Sequence, residues 1–290
     1  KRFFGEIKVS RMKNGSDKLD KQLSRRKFLE HTATAGSAAV ISSAVARAQN
    51  AGGAVSSNSS VPSMGTMIEY KSNDLMIPAY LARPTKQNAA AVLVIHEVFG
   101  LNDHIKSIAD RLAAQGYNAL APNLFVRAPE PPPADATDMA RIRKAASSIP
   151  DDVAIKDMQA GLDYLKTVQG VEKKFASVGF CMGGGFSYQI ATHTHDLAGA
   201  VIFYGRTPLN LVPQVSCPLL GFFGAKDTGI PADQVHAFEQ ALKQAGKKAD
   251  IYIYPDAKHG FFNDTRPEAY NAQAAADAWA KLLKFYHERL

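Results

Sequence analysis

The sequence predicts an α/β fold with a mostly parallel central sheet and helices on both faces of that sheet. Two observations indicate this fold. From about residue 66 onwards, short apolar runs alternate with helical stretches, as in chains built from β-α-β units. In addition, residues 91–95 are apolar at every position, which is typical of a parallel strand that is buried on both faces.

The first predicted elements are a strand pair, a buried strand and a helix. Residues 66–70 and 75–82 are predicted as strands around a turn at residues 72–74. Residues 91–95 form the next strand. The helix after it is predicted from four apolar residues at positions i, i+3, i+4 and i+7, before a glycine ends it: Ile105, Ile108, Ala109, Leu112 and then Gly116.

The alternation continues to the end of the chain. Further strands are predicted at residues 118–121, 176–180, 200–203, 219–223 and 250–254, and helices at residues 152–168, from 182, at 233–245 and near the C-terminus. Residues 128–150 interrupt this order with a proline-rich stretch followed by a helical one. We expect this segment to cover the carboxyl ends of the strands, where open α/β sheets bind their ligands.

The net charge of +7 lies entirely in the N-terminal part of the chain. Residues 1–48 contain eleven of the 34 basic residues and four of the 27 acidic ones, so the remaining basic and acidic residues cancel. The rest of the chain therefore has no net charge with which to attract a polyanion, and the composition gives no support to a nucleic-acid partner.

Residues 1–48 are predicted to be a cleaved export signal. Residues 24–29, SRRKFL, resemble the twin-arginine motif, and a weakly apolar stretch and the tripeptide Ala-Arg-Ala at 46–48 follow them. The alternative is a disordered basic tail. The signal implies recognition by the twin-arginine export machinery and a periplasmic or secreted protein. The apolar stretch is shorter than the roughly 20 residues that span a bilayer, so no membrane anchor is expected in the mature form.

The folded domain is predicted to follow a short linker. Residues 49–64 are rich in Gly, Ser and Asn and show no periodicity, which indicates a flexible linker. Residues 65–290 then form the α/β domain.

The sequence GFCMG at residues 179–183 places a cysteine between a strand and a helix. This is the pattern of a nucleophile elbow, with Cys181 at the position of the nucleophile. The flanking glycines are required because the turn is too tight for a Cβ atom. The helix that begins behind Cys181 favours its thiolate and leaves the Met182 N–H free to bind an oxyanion. The alternative is a small cysteine of the core.

An elbow predicts an acid and then a histidine further along the chain, each on a loop after a strand. Asp227 follows strand 219–223, and His259 follows strand 250–254. Their side chains are expected to meet Cys181 at one edge of the sheet. Asp233 and Asp256 are competing candidates for the acid.

Four motifs together resemble the dienelactone hydrolases, also called carboxymethylenebutenolidases. They are HEVFG at 96–100, APNLFVR at 121–127, GFCMGGG at 179–185 and KHGF at 258–261. The resemblance covers about residues 66–290 and implies an α/β-hydrolase fold with a Cys-His-Asp triad and neither a metal nor an organic cofactor.

The resemblance also assigns roles to single residues. It implies that Cys181 is the nucleophile, that His259 is the base and that Asp227 orients the histidine. Glu97 matches a glutamate that helps to generate the thiolate, and burial after strand 91–95 would favour proton uptake by its carboxylate. A capping or salt-bridged glutamate is the alternative. The N–H groups of Met182 and Val98 would form the oxyanion hole, whereas His96 is expected to hold its loop.

Three arginines are candidates for binding a substrate carboxylate. Arg127 matches the family's substrate-binding arginine after the APNL sequence. A second family arginine lies a few residues beyond the histidine, where Arg266 is displaced from the usual spacing, and Arg206 competes with it. The alternative for Arg127 is a surface ion pair with Glu130 or Asp135.

These residues predict a hydrolase of a small ester or lactone similar to dienelactone. The alternatives are a carboxylesterase or thioesterase of broader specificity that uses the same residues, and a catalytically silent binding module. No disulfide is expected between Cys181 and Cys217, because the second cysteine begins a strand at the opposite end of the sheet.

Overall fold

A computed structural model describes residues 64–131 and 137–290. These residues all belong to the second of two units into which the chain divides, Ser56–Leu290. The predicted export signal at 1–48 and nearly all of the predicted linker at 49–64 lie outside the described residues, so both stay predictions.

The described residues contain one sheet of eight strands in the order β1-β2-β4-β3-β5-β6-β7-β8. Strand β2 is antiparallel to both of its neighbours, and all other pairs are parallel. The mostly parallel sheet predicted from the sequence is therefore confirmed. The strands are β1 (Gly65–Ser72), β2 (Leu75–Ala82), β3 (Ala89–Ile95), β4 (Asn118–Pro122), β5 (Val171–Phe180), β6 (Leu197–Phe203), β7 (Leu219–Gly224) and β8 (Ala249–Tyr254).

Six α-helices lie between and after these strands. They are α1 (Asp103–Ala114), α2 (Met139–Ser147), α3 (Asp151–Thr167), α4 (Met182–His193), α5 (Ala232–Gln244) and α6 (Ala272–His287). Two short 3₁₀ helices, Leu124–Arg127 and Leu209–Gln214, lie in connecting segments and were not predicted. None of the helices in residues 64–131 and 137–290 has the length and apolarity needed to cross a membrane.

The helices cover both faces of the sheet, as predicted. On one face, apolar side chains of α3, α4 and α5 pack against the sheet in one core cluster. On the other face, side chains of α1 and α6 form a second cluster. Strand β3 is buried at all seven of its positions. Burial on both faces excludes water from the middle of the sheet.

Five parallel strands direct their carboxyl ends to the same edge of the sheet. These are the neighbours β3, β5, β6, β7 and β8. Each of them is followed within five residues by a polar or nucleophilic side chain: Glu97, Cys181, Tyr204, Asp227 and His259. The topology therefore brings together residues that lie far apart in the sequence.

Candidate active site

Cys181 lies on a sharp turn between β5 and α4. Its backbone has φ 56° and ψ −115°, a conformation that costs energy for a residue with a side chain. A Cβ atom on Gly179 would lie 1.8 Å from the Gly183 carbonyl oxygen, and one on Gly183 would lie 2.3 Å from the Ile95 carbonyl oxygen. The two glycines are therefore required by close backbone contacts, as the elbow pattern predicts.

Cys181, His259 and Asp227 form a continuous chain of contacts. The His259 Nε2 atom lies 3.0 Å from the Cys181 Sγ atom. On its other side, the His259 Nδ1 atom donates a hydrogen bond of 2.7 Å to Asp227 Oδ2. The second oxygen, Asp227 Oδ1, accepts hydrogen bonds of 2.8 and 3.0 Å from the backbone N–H groups of Gly229 and Ile230. The carboxylate is thus fixed by its own loop and in turn fixes the histidine ring.

These contacts change the proton affinities of the histidine and the aspartate. Burial by itself lowers the pKa of His259, but the hydrogen bonds to Asp227 and Cys181 outweigh it and raise this pKa to about 10. Burial opposes ionisation of Asp227, yet the contact with His259 and the two backbone hydrogen bonds hold the pKa of Asp227 below its usual value. The raised pKa of His259 and the lowered pKa of Asp227 favour an imidazolium beside a carboxylate.

The two competing acids lie elsewhere. Asp256 is exposed and forms an ion pair of 2.7 Å with Lys226. Asp233 lies in the first turn of α5, where its side chain accepts a hydrogen bond from the Gln234 N–H. Asp227 is the candidate that contacts His259.

The loop after β3 begins next to the elbow, since a Cβ atom on Gly183 would lie 2.6 Å from the His96 carbonyl oxygen. Neither the Val98 N–H nor the Met182 N–H has a hydrogen-bond partner among the described residues. His96 holds this loop, because its Nδ1 atom donates a hydrogen bond of 2.6 Å to the Glu97 carbonyl oxygen and its Nε2 atom accepts one from the Leu124 N–H. Burial lowers the pKa of His96 to about 4, so the ring is neutral. These contacts agree with the structural role expected for His96.

Glu97 is buried at the same edge and is held by neutral groups. Its Oε1 atom accepts a hydrogen bond of 3.3 Å from the Tyr204 hydroxyl, and its Oε2 atom accepts one of 2.6 Å from Asn263 Nδ2. Burial, together with the charges of Glu97 and Cys181, raises the pKa of Tyr204 well above its usual value, so the hydroxyl keeps its proton.

Tyr204 and Asn263 were not among the residues that the sequence singled out. Tyr204 follows the end of β6 at the edge that carries the elbow, and Asn263 follows His259 by four positions. The position of Tyr204 after a strand and the position of Asn263 close to His259 are the sequence features that could have pointed to these two residues.

The three candidate arginines differ in what they contact. Arg127 donates two hydrogen bonds of 2.9 Å to Asp157, a fully buried residue of α3, and further ones to Asp74 and the Ser72 carbonyl oxygen. The Arg127 guanidinium is therefore paired with a buried carboxylate, and its role as a substrate anchor stays a prediction. Of the two partners expected in the alternative, Glu130 forms no ion pair with Arg127 among the described residues, and Asp135 lies outside them.

Arg206 lies beside the first turn of α4, and Arg266 lies beside Phe99 in the loop after β3. Arg266 forms an ion pair of 2.6 Å with Glu268, and its guanidinium lies 5.0 Å from the centre of the Phe99 ring. Arg206 is exposed and has no ion-pair partner among the described residues, and its backbone lies against the first turn of α4 at Gly185.

The second cysteine is more deeply buried than the first. Cys217 is buried just before β7, and burial raises the pKa of its thiol to about 12. Both cysteines are free. Within residues 64–131 and 137–290, no group of three or more His, Cys, Asp or Glu side chains is arranged to hold a metal ion.

Comparison with known proteins identifies the family. Residues 77–290 match the Dienelactone hydrolase family. The chain belongs to this family. Two relatives named "Putative carboxymethylenebutenolidase" are similar to it over most of their length. The one from Yersinia pestis is 34% identical and the alignment covers 72% of this chain and 83% of the relative. The one from Saccharolobus solfataricus is 36% identical, with 75% and 96% covered.

A solved structure supports the same conclusion for the fold. A crystal structure from Klebsiella pneumoniae, described as a "Putative Dienelactone Hydrolase", is 30% identical and superposes with a TM-score of 0.73 over 77% of this chain and 98% of the other. The dienelactone hydrolase family member described here therefore has the α/β-hydrolase fold that the motifs implied. The family match and the relatives identify it as a carboxylic-ester hydrolase of the carboxymethylenebutenolidase type.

Proposed function

We propose that this dienelactone hydrolase family member cleaves a small ester or lactone similar to dienelactone, with Cys181 as the nucleophile and a thioester acyl-enzyme as the intermediate. One observation carries the proposal. The Cys181 sulfur lies 3.0 Å from a histidine nitrogen, and the other nitrogen of that histidine lies 2.7 Å from a carboxylate that is itself held by two backbone N–H groups. A nucleophile, a base and an orienting acid in this order are the parts that acyl transfer requires.

In the first half of the reaction, the thiolate of Cys181 attacks the carbonyl carbon and forms a C–S bond. The tetrahedral intermediate then collapses, the bond from this carbon to the ester oxygen breaks, and the His259 imidazolium gives its proton to the leaving oxygen. For a lactone, the released alcohol stays attached to the acyl group because the ring has opened. The N–H groups of Val98 and Met182 are free to stabilise the negative oxygen of this intermediate.

In the second half, neutral His259 accepts a proton from water, and the hydroxide attacks the thioester carbon. The C–S bond breaks, the acid product leaves, and the thiolate and imidazolium are restored. Asp227 keeps the ring in one orientation and stabilises its positive charge throughout, since its carboxylate contacts Nδ1. Glu97 is proposed to help generate the thiolate when substrate binds.

The proposal is tested with two matched cysteine variants. Cys181→Ala should lose at least about 10³-fold in the rate of p-nitrophenyl acetate hydrolysis, the effect of removing a nucleophile from such a unit. Cys217→Ala should stay within a few-fold of wild type because Cys217 lies at the other end of the sheet. Mass spectrometry of the quenched wild-type enzyme should find one acyl group on the peptide that contains Cys181. Activity of Cys181→Ala within tenfold of wild type would exclude the mechanism.

We also propose that the protein is exported by the twin-arginine machinery and acts outside the cytoplasm. The support is the SRRKFL sequence at 24–29, the small-residue site at 46–48 and the concentration of positive charge in residues 1–48. The mature protein should begin at Gln49, and N-terminal sequencing of the exported fraction checks this.

A further inference from the structure

A pocket lies between α1, α6 and the segment that joins β8 to α6. Its volume is about 270 Å³, and its lining includes Arg111 of α1, Trp279 of α6, and Phe262 and Asp264 of the joining segment. None of the residues that we propose as catalytic lines it. Pockets for drug-sized molecules begin at about 300 Å³, so this pocket suits a smaller molecule.

Arg111 supplies the pocket with a cation that is held by aromatic rings. Its Cζ atom lies 4.0 Å from the centre of the Trp279 ring and 5.3 Å from that of the Phe262 ring. Such ring contacts hold a guanidinium but accept no hydrogen bond in its plane. Among the residues that the structure describes, none accepts a hydrogen bond from the Arg111 side chain or forms an ion pair with it. The N–H groups of Arg111 are therefore available to an anionic ligand.

Asp264 lines the same pocket without forming an ion pair with Arg111. Its Oδ1 atom accepts a hydrogen bond of 3.2 Å from His104 Nδ1. This hydrogen bond, aided by the charge of Arg111, holds the pKa of Asp264 below its usual value in spite of burial, so the carboxylate is ionised. No other described residue donates a hydrogen bond to the second oxygen, Oδ2. Asp264 can therefore accept a hydrogen bond from a ligand.

These two charges and the rings together define the chemistry of a ligand. A carboxylate matches Arg111, because a guanidinium can donate two parallel N–H···O bonds to it. Asp264 repels that carboxylate unless the ligand also presents a donor, such as a hydroxyl or amino group, to its oxygen. An apolar group of the ligand would pack against the rings of Trp279 and Phe262.

We propose that this pocket binds a small carboxylic acid that has an apolar substituent and a hydrogen-bond donor, a hydroxyl or amino group, next to its carboxylate. The carboxylate contacts Arg111, the donor contacts Asp264, and the apolar substituent contacts Trp279. The inference goes beyond the proposed function, because no step of the proposed hydrolysis uses this pocket.

The test uses three acids that differ at one position. Next to the carboxylate, phenylacetate carries a hydrogen, mandelate a hydroxyl group and phenylglycine an ammonium group. Trp279 is the only tryptophan of the sequence, so its fluorescence reports binding at this pocket without turnover. Mandelate and phenylglycine should change this fluorescence saturably, with a Kd of about 1 mM or tighter. Phenylacetate should bind at least about tenfold more weakly, because it offers no donor to Asp264.

Two variants remove different parts of the pocket. Arg111→Met keeps the apolar stem and removes the charge, so it should weaken the binding of mandelate at least about tenfold. Ala276→Leu fills the pocket from an exposed position of α6 and should weaken binding similarly, which keeps the test decisive if Arg111→Met does not fold. Arg141→Met is the matched control, because Arg141 is exposed on α2 and does not line the pocket; it should bind as the wild type does.

Three results would overturn the inference. No saturable change with mandelate and phenylglycine would show that Arg111 only joins α1 to α6. Equal affinity for phenylacetate would exclude the contact with Asp264. Unchanged binding in Arg111→Met or Ala276→Leu would place the acid elsewhere, the proposed active site included. Failure of the proposed function is recognised separately, because Cys181→Ala would then keep its esterase activity, whereas binding at this pocket does not depend on Cys181.

Discussion

The loops after β3 and β8 each place a histidine at the same edge of the sheet, yet the pKa values of the two rings are shifted in opposite directions. Burial lowers the pKa of His96 to about 4, whereas contacts with Asp227 and Cys181 raise the pKa of His259 to about 10 in spite of burial. His96 is fully buried and contacts only backbone atoms through its nitrogens. His259 is partly exposed and contacts two ionisable side chains.

The difference shows that the partners of a histidine, rather than its position on an edge, decide its role. A ring whose Nδ1–H is given to a carbonyl and whose Nε2 accepts an N–H has no free nitrogen with which to move a proton. A ring placed between a carboxylate and a sulfur exchanges a proton with one of them and is kept in place by the other. The loop after β3 therefore has a fixed backbone, and the loop after β8 holds the histidine that we propose as the base.

The strongest test of this division replaces each histidine by glutamine. His259→Gln should reduce kcat at least about 10³-fold, because no base remains to accept the proton of water. His96→Gln should keep activity within about tenfold but lower the free energy of unfolding by about 1–3 kcal/mol, since two buried hydrogen bonds are disturbed. Ester hydrolysis and urea unfolding measure the two effects. Equal catalytic losses in two folded variants would contradict the division.

A second test measures the free energy of unfolding at acidic pH. His96 binds a proton with a pKa near 4 in the folded protein and near 6.5 when unfolded, so the unfolded chain binds more protons between these values. The free energy of unfolding should therefore fall by about 3 kcal/mol from this residue as the pH falls from 6.5 to 4. Urea denaturation of wild type and His96→Gln over this range checks it, because the variant should lose less. Parallel curves for the two proteins would show that His96 takes up no proton on unfolding.

The smallest expected effect is a decrease in the free energy of unfolding at alkaline pH. The pKa of His259 is raised from 6.5 to about 10, so the folded protein binds the extra proton in this window and loses stability as the pH rises through it. The His259 side chain is 39% exposed, and solvent screening makes the change smaller than that from His96. Unfolding of wild type and His259→Gln at pH 6.5 and 9.5 measures the difference. A steeper alkaline loss in the variant would reverse the predicted sign.

Most strands of the fold could be predicted because they are buried apolar runs, and the exceptions show where this signal ends. Strand β5 begins at Val171, five residues before the predicted start, since its first residues include exposed charged side chains. No apolar run marks that end of the strand. The predicted turn at 72–74 proved shorter, because β1 and β2 pair up to Ser72 and Leu75.

In the candidate site, too, some residues could be predicted from their sequence neighbours and others could not. Cys181 could be predicted because the elbow is encoded by its neighbours, whereas the Glu97–Asn263 hydrogen bond joins residues 166 positions apart and leaves no local pattern. The partner of Arg127, Asp157, was not predicted either, because it lies 30 positions away in the sequence. Asp157 lies among the buried residues of α3, and a charged residue within that apolar pattern was the signal that it needs a buried partner.

The C-terminal helix has a consequence for the order in which the protein is completed during synthesis. Near the end of the chain, the buried Tyr286 hydroxyl donates a hydrogen bond of 3.0 Å to the Ser177 carbonyl oxygen on β5, the strand that leads to Cys181. This contact spans 109 residues, so a ribosome that has just translated the cysteine still lacks the segment that secures its strand. A chain that terminates before α6 therefore lacks this anchor of the strand that leads to Cys181.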